Sequence, residues 1–288
     1  MNKKEIMIRR DYYGKFDSTI KEIKIGNERW RYSVSGNGNH YILALMSNVA
    51  GHVFSLPLAE ALQEHYRVIA LSIPPLPSFH LSGEGLAAVL KHENITCCDA
   101  IGHSNGGVHI QNLIASHPQM VDKIIFSHSL TSMSAQDAYT VNNTEVELYR
   151  KAKILMKIFP TSILLNALGG QFTKKIKLAA GEKDTSAIQK LFKAELKLLK
   201  KKDLLLIVEC MEDFLFNYTF DKQYYQEKAG KILLLNSPTD RIVNPRQEKA
   251  MRMLCPQAQT YQFKQGGHTS MLTCPEEYYE VVKHFLLE

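Results

Sequence analysis

The sequence predicts an α/β fold: a mostly parallel, eight-stranded sheet flanked by helices and interrupted by a helical insertion. Three observations carry this. Short apolar runs alternate with segments of helical spacing as far as Leu130. A long stretch then reads as helices with no convincing strand. Finally the strand–helix alternation resumes near Lys231 and continues to the end. Such alternation is the pattern of βαβ units, whose crossovers cover both faces of a parallel sheet.

Taken in order, 20–25 and 29–35 read as two strands of a hairpin, with Gly26-Asn27 supplying the turn. Tyr41 to Leu45 is an unbroken apolar run, as expected of a strand buried on both faces. Phe54, Leu58, Ala61 and Leu62 recur at helical spacing within a helix expected from Phe54 to His65. Tyr66 to Leu71 is the next strand, closed by Pro74-Pro75, and a short helix is expected from Glu84 to His92. Cys97 to Ile101 is a strand, 106–116 a helix and Lys123 to Phe126 a strand. The insertion follows, where Ile188, Leu191, Phe192, Leu198 and Leu199 form an apolar stripe and Lys190, Lys193, Lys197 and Lys201 point elsewhere. Lys231 to Leu235 and 260–263 complete the strands, with helices over 247–254 and 276–287. The expected organisation is a core over 1–133 and 229–288, with the helical insertion over 134–228.

Composition narrows the function. The chain of 288 residues is 45% hydrophobic and 22% charged, ordinary values for a globular protein. No run approaches the roughly 20 apolar residues of a membrane span. The first ten residues hold early lysines but no apolar core and no small-residue cleavage site, so the expected location is cytoplasmic. Five cysteines without paired spacing suit neither a disulfide framework nor a zinc site, and no metal is expected. The net charge of +6 is concentrated in the lysine-rich stretch from Arg150 to Lys202. Aromatic residues are not interleaved there as a nucleic-acid stacking platform requires, so no nucleic-acid partner is expected. The lysines read as the solvated face of amphipathic helices; contact with an anionic surface is the lesser alternative.

The chemistry is carried by Gly102-His103-Ser104-Asn105-Gly106, placed between a buried strand and a helix. G-x-S-x-G in that context lifts a serine onto a sharp, strained turn above the sheet, and glycines keep the neighbouring elements clear. The helix that follows directs its positive end toward the site. A serine hydroxyl is a poor nucleophile and needs a base, which in turn needs an orienting acid. Asp240 and His268 follow in that order, each in a loop just beyond a strand, where open parallel sheets place their ligands. His52, His128 and Ser129 fall near the same rim and are read as spectators, while His103 and His109 are read as packing residues.

These residues resemble the α/β-hydrolase superfamily over nearly the whole chain, from about residue 20 to the end. In that family the nucleophile follows the fifth strand, the acid the seventh and the histidine the eighth, which match Ser104, Asp240 and His268. The helical insertion after the sixth strand is similar to the family's cap. The layout is also similar to the maspardin-like branch, a likeness of organisation and not of motif. The resemblance implies an oxyanion hole from the backbone N–H groups of Asn48 and Asn105, although Met46-Ser47-Asn48 replaces the usual His-Gly of that loop. It also disfavours dehalogenase or epoxide-opening chemistry, whose relatives carry aspartate in place of Ser104. The expectation is a cofactor-free serine hydrolase that cleaves a carboxylic ester, or a related acyl bond, of a small molecule. The alternative is a non-catalytic or very slow binding protein that keeps the fold.

Overall fold

The computed structural model describes residues 20–46, 54–132, 135–180 and 186–288. One eight-stranded sheet runs through the core in the order β1-β2-β4-β3-β5-β6-β7-β8. Strands β1 (Lys21–Ile25) and β2 (Glu28–Ser35) form an antiparallel hairpin at one edge. Their turn is Gly26-Asn27, with Gly26 at φ 60°, a conformation that glycine adopts without steric cost. Strand β4 (Tyr66–Leu71) joins β2 antiparallel. From β4 through β3 (His40–Leu45), β5 (Cys98–His103), β6 (Val121–Ser127), β7 (Ile232–Asn236) and β8 (Gln259–Gln262), every pairing is parallel.

The pleat sorts the apolar side chains between two cores. Leu43 and Leu45 of β3 share one with Ile69 and Leu71 of β4, while Ile42 and Ala44 share the other with Val68 and Ala70. This is the period-two alternation of a strand buried on both faces. Helices α2 (His80–His92) and α3 (Asn105–Ser116) cover the first face with Leu86, Leu90, Ile110 and Leu113. Helices α1 (Leu56–Leu62) and α11 (Pro275–Leu287) cover the second with Leu58, Leu62, Tyr278 and Val282.

Between β6 and β7 lie α4 (Ala135–Ile158), α5 (Thr161–Ala180), α6 (Ser186–Leu196), α7 (Lys201–Asn217) and the single turn α8 (Gln223–Gln226). Helix α7 anchors this insertion to the core. Phe214 packs 5.1 Å from Phe79 between ring centres, and Asp213 accepts hydrogen bonds of 2.8 Å from Ser78 Oγ and from the Phe79 N–H. After β7 come α9 (Pro245–Leu254) and the single turn α10 (Ser270–Thr273).

Several expected boundaries move, for local reasons. Helix α2 begins at His80 and not at Glu84. Gly83 and Gly85 lie inside it because neighbours crowd them: a Cβ on Gly85 would stand 1.9 Å from the Trp30 ring. Strand β5 runs on to His103, delivering the chain directly to Ser104. Helix α9 starts at Pro245, two residues early, because the Asn244 side chain caps it by accepting from the Arg246 and Gln247 N–H groups. Cys97, expected inside a buried strand, is exposed, and of this adjacent pair Cys98 alone is buried. Leu198 leaves the expected apolar stripe: it lies beyond the end of α6 and is 62% exposed, whereas Phe192 and Leu196 are buried.

Candidate active site

Ser104 sits between the end of β5 and the start of α3, at φ 54° and ψ −126°. Few non-glycine residues hold a positive φ, and doing so costs about 1–3 kcal/mol, so the surroundings must impose it. They do so by crowding. A Cβ on Gly102 would stand 2.4 Å from Gly107 Cα, and one on Gly106 would stand 1.9 Å from the Leu45 carbonyl oxygen. Hydrogen bonds then lock the turn: the Ser104 N–H donates to the Ser127 carbonyl at 2.9 Å, and Ser129 Oγ donates to the Ser104 carbonyl at 3.0 Å. Ser129 is therefore a structural support of the turn. Gly106→Ala is expected to lower stability by about 1–3 kcal/mol through overpacking. Denaturant unfolding checks this, and an unchanged midpoint would mean that the turn tolerates a methyl group.

Asp240 and His268 meet through 2.9 Å between Asp240 Oδ2 and His268 Nδ1. A carboxylate only accepts, so Nδ1 carries the hydrogen and the Nε2 lone pair of neutral His268 is left for a proton. Two local devices aim the pair. Asp240 Oδ1 accepts from the N–H groups of Ile242 at 2.7 Å and Val243 at 3.1 Å, which closes its own loop. The Gly267 N–H donates to Thr239 Oγ1 at 3.1 Å and stitches the histidine loop to the acid loop. Burial favours protonation of Asp240, but the hydrogen bonds from His128 and His268 outweigh it and hold the carboxyl far below the usual carboxylate range. Among the described residues no hydrogen bond joins Ser104 Oγ to His268; catalytic bonds of this kind commonly tighten only with substrate bound.

The structure gives His128 a place that its reading as a spectator missed. It follows β6 at φ 46° and is fully enclosed. Its Nδ1 lies 2.9 Å from Asp240 Oδ2, the same oxygen that His268 uses, and its Nε2 lies 2.6 Å from Ser270 Oγ. Burial lowers its pKa, with Asp240 opposing, so the neutral ring is the form in place. The tautomer follows: Nδ1–H donates to the carboxylate, and the Ser270 hydroxyl donates to Nε2. Among the described residues, His128, Asp240 and His268 are the one group whose donor atoms, within 4.8 Å of one another, could gather round a metal ion. Here both Nδ1 atoms face the carboxylate with hydrogens, so that geometry is already used in hydrogen bonding.

His103 forms the third wall, 4.8 Å from His268 and 5.7 Å from His128 between ring centres. Burial, then the nearby His268 and His128, push its pKa well below the ordinary value, and it stays neutral. His109 packs on Phe79 at 5.5 Å and burial pushes it down to about 3, in keeping with the packing role read from sequence. Asn105 opens α3 and is partly exposed beside Ser104, so its N–H stands at a helix N-terminus. Asn48 and His52 lie outside the described residues.

No family model matches the chain. Over 128 residues it is 29% identical to a Serratia proteamaculans (strain 568) protein described as "Putative carbamate hydrolase RutD". The match covers 38% of this chain, which spans 48% of that relative's length. Solved structures are alike over far more of it. An esterase of Thermogutta terrifontis superposes with a TM-score of 0.71 at 13% identity, over 93% of this chain and 97% of the other. The enol-lactonase of Burkholderia xenovorans LB400 gives 0.68 at 13% identity, over 93% and 100%. The chain has the α/β-hydrolase fold.

Proposed function

We propose that the chain is a serine hydrolase that cleaves a carboxylic ester, or a related acyl bond, of a small molecule. The observation that carries this reading is the Asp240–His268 contact at 2.9 Å, with the His268 ring 4.8 Å from that of His103, the residue before a serine held at φ 54° ahead of a helix. In this reading Ser104 Oγ attacks the carbonyl carbon as its proton passes to His268 Nε2. The oxyanion faces the N–H of Asn105 and, from the loop after β3, that of Asn48. Collapse expels the alcohol with the proton from His268, leaving an acyl-enzyme. Water then attacks with His268 as base, and Ser104 is restored. Residues 134–228 act as a cap that roofs the pocket and selects the acyl group. The esterase and lactonase among the structural neighbours support this bond class, although a fold alone does not fix chemistry. Assay against p-nitrophenyl esters of graded chain length tests it: turnover with a length optimum is expected. No turnover at any length would favour the non-catalytic binding protein.

His128 takes part in this reading as a positioning residue. Two imidazoles share one carboxylate oxygen, and the one fixed by Ser270 keeps that oxygen from turning away from His268. A hydrogen bond to a charged group is worth about 1.5–3 kcal/mol, or roughly 10- to 100-fold in rate. His128→Ala is expected to lower kcat by that factor with KM unchanged. His128→Asn, which can place an N–H at the same point, is expected to recover most of the loss. Equal losses in both variants would reduce His128 to a packing role.

A further inference from the structure

The second half of α4 carries apolar side chains on both faces. Tyr149, Ala152 and Met156 turn inward and pack on Leu204 and Val208 of α7. Ile154, Leu155 and Ile158, spaced as neighbours on a helix surface, face solvent, with Ile154 53% and Ile158 68% exposed. The exposed surface continues round the turn through Phe159 and Pro160 to Ile163 of α5. Lys201 Nζ donates to the Lys157 carbonyl at 3.0 Å and brings the start of α7 against the end of α4. The inner stripe is sufficient to pack α4 on α7, so folding does not call for the outer one. Contiguous exposed apolar side chains of this kind mark an interaction surface.

The charge around this corner identifies what fits it. Between Glu147 and Glu182 the chain has no aspartate or glutamate. Lys153 is taken by Glu212 at 2.6 Å, on the inward side. Asp203, at the start of α7, is engaged by the Lys200 backbone N–H at 2.8 Å. The exposed Lys157 and Lys200 have no ion-pair partner among the described residues and stand at the apolar corner. A second copy of the same face would set lysine against lysine. An anionic bilayer offers both acyl chains for the isoleucines and phosphates for the lysines. No helix among the described residues is long and apolar enough to cross a membrane, so the contact is interfacial.

We propose that the corner formed by the end of α4, the start of α5 and the start of α7 docks on an anionic lipid surface, with Ile154, Ile158 and Phe159 entering the headgroup layer and Lys157 and Lys200 meeting the phosphates. The test is co-sedimentation of the full chain with vesicles of phosphatidylcholine alone and of phosphatidylcholine mixed equally with phosphatidylglycerol. Binding is expected only to the mixed vesicles and weakens as salt screens the lysines. Ile158→Asp and Lys157→Glu, both at exposed positions, are each expected to weaken binding by about tenfold or more with an unchanged unfolding midpoint. Lys24→Glu on the exposed face of β1 makes the same change in net charge and leaves binding intact. Absence of binding to the mixed vesicles overturns the proposal. So does equal binding to phosphatidylcholine alone, or a Lys24→Glu loss as large as that of Lys157→Glu. A dimer that Ile158→Asp dissociates, with no vesicle binding, would instead assign the corner to a second copy of the chain.

Discussion

Replacing Ser104 with alanine is expected to abolish ester turnover while leaving the fold unchanged. Removing the nucleophile of a serine triad costs on the order of 10⁶ in kcat, because base and acid then have nothing to activate. The structure gives a specific reason for an intact fold. The contacts that hold the turn are made by the Ser104 N–H and carbonyl, and alanine keeps both. The strain at φ 54° is nearly the same for alanine, so stability should change little. Unfolding curves that superpose, together with rates falling to the uncatalysed level, would establish the role. Substantial residual turnover would move the nucleophile elsewhere.

The second large effect is expected at Asp240. Asp240→Asn preserves shape and lets the side-chain oxygen still accept from Ile242 and Val243. It then presents an amide N–H to two imidazole Nδ1–H groups that both need an acceptor. His268 can relieve that conflict only by moving its hydrogen to Nε2, which removes the lone pair that Ser104 requires. A wrong tautomer in a triad costs about 10⁴ in kcat. Because His128 faces the same conflict, and Ser270 already donates to its Nε2, the loss should extend to stability. The measurement is kcat and the unfolding midpoint together. A fall in kcat alone would mean that His128 adapts freely, and a fall in neither would remove Asp240 from the mechanism.

Much of this arrangement was legible in the residues. Ser104, Asp240 and His268 each follow a strand that is itself clear, so position along the chain stood in for position in space. Apolar runs such as Tyr41 to Leu45 located the sheet because a strand buried on both faces leaves no room for polar residues. His128 was not legible, since its meaning depends on Asp240, 112 residues away. The one local hint was polar Ser127-His128-Ser129 directly after the apolar Ile124-Ile125-Phe126. The first turn of α2 was not legible, because Gly83 weakens a helical pattern and its reason, the close approach of Ser116, lies elsewhere in the chain. The outer stripe of α4 stayed hidden for a different reason: helical spacing reports that a face is apolar, not whether another element covers it.

Covalent labelling with a fluorophosphonate reports whether Ser104 is an activated nucleophile. The wild-type chain, Ser104→Ala and His268→Ala would be treated side by side and the modified residue located by mass spectrometry. Labelling of the wild type at Ser104 is expected, with none in Ser104→Ala and little in His268→Ala. A wild-type chain that stays unlabelled, or equal labelling of Ser104 in His268→Ala, would contradict that role.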